Sequence, residues 1–288
     1  MAAGGRVTEQ RIERAVAQCD AMGFVPSVAA SARATLGYLA GSDEERLSDL
    51  QTALDDPAVD AVWALRGGYG ATRIISRLDL AEQRRQPKPF IGFSDNTAIH
   101  AAYYALGAVS FHGPHAGGDF PTETEAAFRL VLCRAEPAGQ LPVRLEDPAP
   151  STLRGGTVEA PLYGGNLALL ASLCGTALCP SARGTILFLE DVGEPAYRVD
   201  RMLVQLRESG VLVGVVGLAF GRFTDSGDES VRSVRDVLLE LAELLRVPAV
   251  IDLPIGHVEH NWTMPIGCLA QLNGDAATLT ISEPAVCD

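Results

Sequence analysis

The sequence predicts an α/β protein that contains two domains built on parallel sheets. Its 288 residues are about twice the usual length of one domain. Apolar runs alternate along the chain with segments of helical periodicity, which is the pattern of parallel strands covered by helices. A polar stretch between about residues 136 and 160 contains four prolines and a Gly-Gly pair, and it divides this pattern into two halves.

The first half contains four predicted helices and two predicted strands. Ser42 and Glu45 form a capping box, which places the start of the second helix. Each apolar strand ends in a loop that contains glycine, and a helix follows each loop. The predicted helices cover 12–22, 42–54, 74–78 and 97–106, and the predicted strands cover 59–65 and 90–93.

The second half repeats the alternation and ends differently. Asn273 and Gly274 separate two short β runs, and this dipeptide is a strong signal for a hairpin turn. The other predicted elements are helices over 167–173, 199–206 and 231–245 and strands over 185–189, 212–220 and 249–253.

Charge and composition exclude several classes of partner. Acidic residues outnumber basic residues by 13, which argues against binding to nucleic acid or to an anionic membrane surface and favours a small or cationic ligand. The sequence has no apolar run long enough to span a membrane and no signal-peptide core, so we expect a cytoplasmic protein. None of the six cysteines forms a CxxC motif, which favours reduced thiols over disulfides or a zinc ribbon.

Ser94 is the most informative candidate residue. It follows the strand over 90–93 and precedes a helix, and a sharp strand-to-helix turn can present a serine hydroxyl as a nucleophile. The local sequence Gly-Phe-Ser-Asp-Asn lacks the second glycine of the usual nucleophile motif. The alternative is that Ser94 and Asp95 only cap the following helix.

Two further candidates lie near the ends of predicted strands in the second half. His257 follows an apolar strand, where it is placed to act as a general base. Glu190 and Asp191 follow the strand over 185–189, and a buried carboxylate there could orient a histidine. The alternative for these carboxylates is a structural salt bridge to Arg198 or Arg201.

Other histidines and glycines give weaker signals. His257 and His260 are spaced as a metal pair could be, but no third ligand is evident. The sequence His112-Gly-Pro-His115 favours loop architecture over metal ligation. The Gly67-Gly68 pair could offer backbone amides to an oxyanion, and it matches neither phosphate-loop nor dinucleotide motifs.

Together these motifs resemble the LD-carboxypeptidase family of serine peptidases, in the same order and spacing from about residue 37 to residue 267. The motifs that carry the resemblance are Leu65-Arg-Gly-Gly-Tyr-Gly70, Ile91-Gly-Phe-Ser-Asp95, His112-Gly-Pro114, Gly164-Gly-Asn-Leu167, Leu189-Glu-Asp-Val-Gly-Glu194 with Tyr197-Arg-Val-Asp200, and Gly256-His257 before Asn261 and Pro265.

The resemblance implies a hydrolase that uses a serine, histidine and glutamate triad without a metal or an organic cofactor. Ser94 matches the nucleophile, His257 the general base and Glu190 the orienting acid. The backbone amides of Asp95 and Gly68 match the oxyanion donors. The implied reaction releases the terminal D-alanine from murein tetrapeptides during cell-wall recycling. Recognition of a free substrate carboxylate also needs a cation or a cluster of amides nearby, and Arg66 and Arg222 are the candidate cations.

The resemblance further implies a doubly wound, flavodoxin- or Rossmann-like N-terminal domain over 1–135, a linker over 136–158 and a β-richer α/β domain over 159–288. The nucleophile would come from the first domain, the acid and base from the second, and a homodimer would build the cleft. The family usually opens with a hydrophobic strand, and this sequence begins at what we interpret as the next helix. We therefore expect the first strand to be missing, either because the given sequence starts late or because the sheet lacks that strand.

Two other functions fit parts of the pattern. The related self-immunity peptidases hydrolyse peptide-nucleotide antibiotics of the microcin C type, and they tend to be longer chains. A non-catalytic protein that binds peptides or muropeptides could also have a similar two-domain fold. Covalent labelling of Ser94 by a serine-directed phosphonate would argue against the binding protein.

Overall fold

A computed structural model describes residues 1–143, 148–179, 181–227 and 232–287, which form two α/β domains. In these ranges no helix has the length and apolar character needed to cross a membrane. The α-helices are α1 (Glu9–Ala21), α2 (Asp43–Asp55), α3 (Ala71–Ile74), α4 (Thr97–Ala105), α5 (Thr122–Leu132), α6 (Leu167–Leu173), α7 (Ala196–Glu208) and α8 (Val234–Leu245). The strands are β1 (Val62–Trp63), β2 (Phe90–Gly92), β3 (Ser110–His112), β4 (Gly139–Gln140), β5 (Ser151–Arg154), β6 (Thr157–Asn166), β7 (Ile186–Val192), β8 (Gly217–Thr224), β9 (Ala249–Ile251), β10 (Met264–Ile266), β11 (Leu269–Asn273) and β12 (Thr278–Ile281).

The smaller sheet has the strand order β1-β2-β3-β10 among the described residues. Its first three strands are parallel, and β10 pairs antiparallel with β3 in the register Met264 with His112. Because β10 comes from near the end of the chain, the N-terminal sheet is completed by the C-terminal half of the sequence.

The larger sheet has the order β4-β12-β11-β6-β7-β8-β9-β5. Its centre, β6 to β9, is parallel, and the strands on either side of that centre pair antiparallel. One apolar core contains Ile91 and Phe111 of the smaller sheet together with Leu187 and Phe188 of the larger sheet. The two domains therefore share a packed interface.

Several predicted elements are confirmed, and others have different bounds. Helix α6 covers the predicted residues, and the Ser42 capping box opens α2. The strand predicted over 185–189 continues to Val192, so Glu190 and Asp191 lie inside β7 rather than after it. The strand predicted over 212–220 begins only at Gly217 because the preceding residues form turns.

The ends of other elements also shift. Helix α8 begins at Val234, where Ser233 and Asp236 form a capping box, and the predicted start at Val231 lies outside the described residues. The segment predicted as a helix over 74–78 is a short α-turn, α3, followed by a 3-10 turn. The hairpin at Asn273 is confirmed, with Asn273 paired to Thr278.

The stretch predicted to be a linker also contributes to the larger sheet. Strand β4 pairs with β12, and β5 pairs with β9, so they form the two edges of that sheet. Residues 144–147 of this stretch lie outside the described residues. The four prolines of the stretch, Pro137, Pro142, Pro148 and Pro150, all lie outside β4 and β5.

The first five residues lie beside the end of β1. The nitrogen of Met1 donates to the Trp63 carbonyl at 2.9 Å, and the Leu65 amide donates to the Met1 carbonyl at 2.8 Å. The Gly5 amide then donates to the Gly67 carbonyl at 2.9 Å. We expected no strand here, and the structure places a short extended segment in ladder-like contact at this edge of the sheet.

Candidate active site

Ser94 occupies a strained position at the end of β2. Its φ is +62°, in the left-handed region that residues other than glycine rarely adopt. A 3-10 turn over Ser94–Asn96 joins it to α4. Such strain concentrates at functional sites, because the surrounding structure must enforce it. The turn therefore has the character of a nucleophile elbow, although the sequence lacks its second glycine.

The alternative that Ser94 and Asp95 cap α4 is wrong. The residue at the N-cap position of α4 is Asn96, and no side-chain capping bond is made there. The Asp95 Oδ2 instead accepts a hydrogen bond at 2.8 Å from the Ala71 amide, at the start of α3. Burial raises the pKa of the Asp95 carboxyl, and hydrogen bonds from the Ala71 and Gly70 amides oppose that rise. Asp95 thus ties the glycine loop to the Ser94 turn.

The glycine loop itself lies directly against Ser94. A Cβ atom on Gly67 would come within 2.8 Å of the Ser94 Cβ and 3.0 Å of the Asp95 amide nitrogen. Only glycine permits this approach. The next residue, Gly68, has a φ of +82°. The two backbone amides predicted as oxyanion donors, those of Asp95 and Gly68, therefore belong to two segments in contact.

His257 and Glu190 form a hydrogen-bonded pair. The distance from the His257 Nδ1 to the Glu190 Oε2 is 2.8 Å, and the glutamate side chain is fully buried. Glu190 lies on β7, and His257 lies in the loop after β9. The Gly256 amide donates to the Asn261 Oδ1 at 2.9 Å, which fixes that loop.

The pKa values of this pair are shifted in opposite directions. Burial by itself would raise the pKa of Glu190, but the adjacent imidazole of His112 and the hydrogen bond with His257 lower it to about 2. Burial by itself would lower the pKa of His257, but the hydrogen bond and the negative charge of Glu190 raise it. A buried carboxylate that stays ionised beside a histidine is the arrangement that stabilises an imidazolium.

Aromatic contacts bring His257 to the nucleophile turn. The Phe93 ring lies edge-on to the His257 imidazole, with 4.8 Å between ring centroids, and it stacks on His115 at 4.2 Å. Because Ser94 follows Phe93 directly, His257 packs against the residue next to the nucleophile candidate. Since Glu190 occupies Nδ1, the nitrogen left for proton transfer is Nε2.

The neighbouring carboxylate, Asp191, has a different role. Its Oδ1 accepts from the Asn166 Nδ2 at 2.9 Å, and its Oδ2 accepts from the Ala168 amide at 2.8 Å, at the start of α6. Burial raises the pKa of Asp191 to about 6. Among the described ion pairs, the alternative salt bridge to Arg198 or Arg201 is not formed. Arg198 pairs with Glu194 at 3.5 Å, and the Arg201 guanidinium lies over the Tyr197 ring.

The two arginine candidates lie in different surroundings. Arg66 is exposed beside Gly68, and its Nη1 donates to the Arg6 carbonyl at 3.0 Å. The backbone amide of Arg222 donates to the Ile255 carbonyl at 3.2 Å, and its Nη2 donates to the Pro148 carbonyl at 3.1 Å. Arg66 therefore adjoins the glycine loop, and Arg222 adjoins the segment that carries His257.

The sequence favours loop architecture for His112 and His115, and His112 also belongs to a motif of the family resemblance. The structure places His112 in β3, with its Nε2 3.6 Å from the Glu190 Oε1. The His115 Nε2 lies 3.1 Å from the Asn96 Nδ2. The signal that could have identified them is a histidine pair directly after a buried strand. In the described part of the chain, no group of three or more His, Cys, Asp or Glu side chains is arranged to hold a metal ion.

Two family models match the sequence of this chain. The model of the LD-carboxypeptidase N-terminal domain matches residues 1–113, and that of the LD-carboxypeptidase C-terminal domain matches residues 159–272. The chain belongs to the LD-carboxypeptidase family. It is therefore a peptidase, and the resemblance seen in the sequence motifs is confirmed.

Individual members of the family align over most of the chain. A putative carboxypeptidase of Streptomyces coelicolor is 41% identical and covers 100% of this chain and 93% of its own length. The murein tetrapeptide carboxypeptidase of Pseudomonas aeruginosa is 38% identical over 83% of this chain and 80% of its own.

Solved structures share the fold. The muramoyltetrapeptide carboxypeptidase of Oxalobacter formigenes has a TM-score of 0.85 and 34% identity, with 99% of both chains covered. The microcin C7 self-immunity protein MccF also has a TM-score of 0.85, over 100% of this chain and 96% of its own, at 22% identity. That second likeness concerns the fold alone.

Proposed function

We propose that this protein is a serine LD-carboxypeptidase that releases the terminal D-alanine from murein tetrapeptides. The observation that carries the proposal is the hydrogen bond between His257 and the buried Glu190, next to the strained Ser94 turn. Two relatives whose names specify murein tetrapeptides or muramoyltetrapeptides, at 38% and 34% identity, support the choice of substrate.

The proposed reaction begins with transfer of the Ser94 hydroxyl proton to the His257 Nε2. The Ser94 oxygen attacks the carbonyl carbon that precedes D-alanine, and the amides of Asp95 and Gly68 hold the oxyanion. The C–N bond then breaks, and His257 gives its proton to the departing amine. A water molecule attacks the acyl-enzyme, passes one proton to His257, and releases the shortened peptide as Ser94 regains its proton.

Glu190 acts on this sequence through His257. Each time the imidazole takes a proton it becomes a cation, and the ionised carboxylate on Nδ1 stabilises that cation and fixes the tautomer. The low pKa of Glu190, about 2, means that the carboxylate keeps its charge throughout the working pH range. It orients the base and does not take the proton itself.

A carboxypeptidase must also recognise the free carboxylate of its substrate. We assign this role to Arg66, because its exposed guanidinium lies beside Gly68, next to the proposed oxyanion donors. Arg222, which is half-buried near the His257 loop, is the second candidate. Arginine suits the task because its planar fork matches a carboxylate in two hydrogen bonds.

The domain division belongs to the same proposal. Ser94 follows β2 of the smaller sheet, and Glu190 lies on β7 of the larger sheet. We propose that residues 1–135 carry the nucleophile, that 136–158 connect the domains, and that 159–288 carry the acid and the base. Catalysis then depends on the packed interface between the two sheets.

The cellular setting is inferred from the substrate. Released tetrapeptides are recovered inside the cell, so we propose a cytoplasmic enzyme of cell-wall recycling. We also propose a homodimer. The exposed rings of Tyr38 and Tyr69, 5.7 Å apart beside the glycine loop, are the type of surface that a subunit interface buries. Light scattering of the purified chain measures its mass and tests this point.

The deciding experiment measures D-alanine release by mass spectrometry. The wild-type protein should convert a tetrapeptide to a tripeptide, and Ser94→Ala should lower turnover by about three orders of magnitude or more. Ser172→Ala, an exposed serine on α6, is the matched control and should retain full activity. Normal turnover by a folded Ser94→Ala protein would refute the assignment.

The same preparation separates the two alternatives. Hydrolysis of a peptidyl nucleotide in preference to the tetrapeptide would indicate a self-immunity peptidase. Binding of the tetrapeptide without D-alanine release, together with no phosphonate labelling of Ser94, would indicate a binding protein.

A further inference from the structure

His112 is a buried histidine outside the proposed triad. It is the last residue of β3, and its side chain has no exposed surface. Aromatic rings surround it, with centroid distances of 5.3 Å to Phe188 and 5.9 Å to Phe93, and His100 lies 6.1 Å away. A polar side chain is costly in such a pocket unless it has a polar partner.

The polar group that faces His112 is the free oxygen of the Glu190 carboxylate. The Glu190 Oε2 accepts from His257, and the other oxygen, Oε1, lies 3.6 Å from the His112 Nε2. Among the described residues, neither Oε1 nor either ring nitrogen of His112 has a partner within hydrogen-bond distance. A shift of a few tenths of an ångström would bring Nε2 and Oε1 to ordinary hydrogen-bond length.

We propose that His112 is a positioning residue, whose Nε2–H holds the Oε1 of Glu190 so that Oε2 stays on the Nδ1 of His257. This inference rests on the proposed function. An ionised carboxylate can only accept hydrogen bonds, so the His112 proton must be on Nε2. A buried carboxylate with donors on both oxygens can neither rotate nor lose its charge easily.

The position of His112 in the fold gives this contact a second consequence. His112 pairs in register with Gly92 of β2, two residues before Ser94, and Glu190 lies in the other sheet. The contact therefore joins the strand that leads to the nucleophile with the strand that carries the acid. His112 sets the distance between them across the domain interface.

The test compares three substitutions. His112→Leu removes the donor and fills the aromatic pocket with an apolar side chain. His112→Gln places an N–H donor close to the position of Nε2. His100→Leu is the matched control, because His100 is equally buried but bonds to Ser110 and to the Gly92 carbonyl. Thermal unfolding confirms that each variant is folded. If His112→Leu does not fold, His112→Asn, whose amide is too short to reach Oε1, replaces it.

The first measurement is the rate at which a fluorophosphonate labels Ser94. We expect His112→Leu to lower this rate and kcat on the tetrapeptide by about 10- to 100-fold, the size of a lost hydrogen bond to a buried charge, with KM unchanged. His112→Gln should recover most of the loss. A wild-type rate in His112→Leu, no recovery in His112→Gln, or an equal loss in His100→Leu would overturn the inference.

The second measurement needs no substrate or reagent. The proton on the His257 Nδ1 should give a downfield NMR resonance that moves upfield in His112→Leu and returns in His112→Gln. An unchanged resonance in His112→Leu would overturn the positioning role. Failure of the wild-type protein to label at Ser94 would instead refute the proposed function, so the two failures are distinguishable.

Discussion

Replacement of Gly256 by alanine should disable the site by displacing a single oxygen atom. A Cβ on Gly256 would lie 2.2 Å from the Glu190 Oε2 and 2.7 Å from the Glu190 Cδ. That oxygen accepts the hydrogen bond from His257. The carboxylate has to move, and it has little room because its side chain is fully buried.

The stability that Gly256→Ala is expected to lose has two sources. Gly256 has a φ of +103°, and a side chain in such a rare conformation costs about 1–3 kcal/mol. Overpacking of a filled interior adds about 1–3 kcal/mol. Gly193→Ala is the matched control, because Gly193 has a φ of +74° but nothing lies within 4 Å of its Cβ position. Gly193→Ala therefore has the backbone strain of a positive φ but no steric clash with a neighbouring side chain.

The assay combines urea denaturation with turnover of the tetrapeptide. We expect Gly256→Ala to lose about 2–6 kcal/mol of stability and Gly193→Ala about 1–3 kcal/mol. Turnover should fall at least about 100-fold in folded Gly256→Ala, since a serine triad whose acid is altered loses up to about 10⁴-fold. A folded Gly256→Ala protein with the turnover of Gly193→Ala would refute the reasoning, because Glu190 would then not need its present position.

Two further predictions concern pH and the glycine loop. Glu190 raises the pKa of His257, and the base must be neutral to act. We therefore expect kcat/KM to increase with pH, and the midpoint of this increase should lie above pH 6.5. Glu190→Gln removes the charge and leaves the burial, so the midpoint should move to lower pH while kcat falls, and a midpoint that stays in place in a pH profile would contradict this. Asp95→Ala should cost about 1–2 kcal/mol in urea denaturation by uncapping Ala71, and it should slow phosphonate labelling of Ser94 as the glycine loop loosens. Asp95→Asn keeps an acceptor oxygen, so it should retain most of the stability and most of the labelling rate. Equal losses of stability and labelling rate in the two variants would argue against the cap.

The parts of the site that sequence could indicate are those with local signals. Ser94 lies on a strand-to-helix turn, and Glu190 and His257 lie within or after apolar strands, so chain pattern and family motifs were enough to select them. Helix α6 and the α2 capping box were likewise predicted from local periodicity and from Ser42 and Glu45.

The parts that sequence did not indicate depend on contacts between distant segments. The approach of His112 to Glu190 exists only because β3 and β7, which belong to different sheets, meet in one shared core, and no local pattern encodes that pairing. The alternative for Asp95 was wrong for the same reason, since its partner, Ala71, belongs to another loop. Strands of three residues, such as β3 and β10, are too short to show an alternating pattern.

The pairing of β10 with β3 also affects how the protein is made. Ser110 pairs with Ile266, so the N-terminal sheet stays incomplete until most of the chain has left the ribosome. Contacts between segments so far apart slow folding. A fragment that ends near residue 113, where the match to the N-terminal family domain stops, leaves the edge of β3 without its partner strand. Open edges of this kind pair with other chains, so the N-terminal domain expressed alone should aggregate.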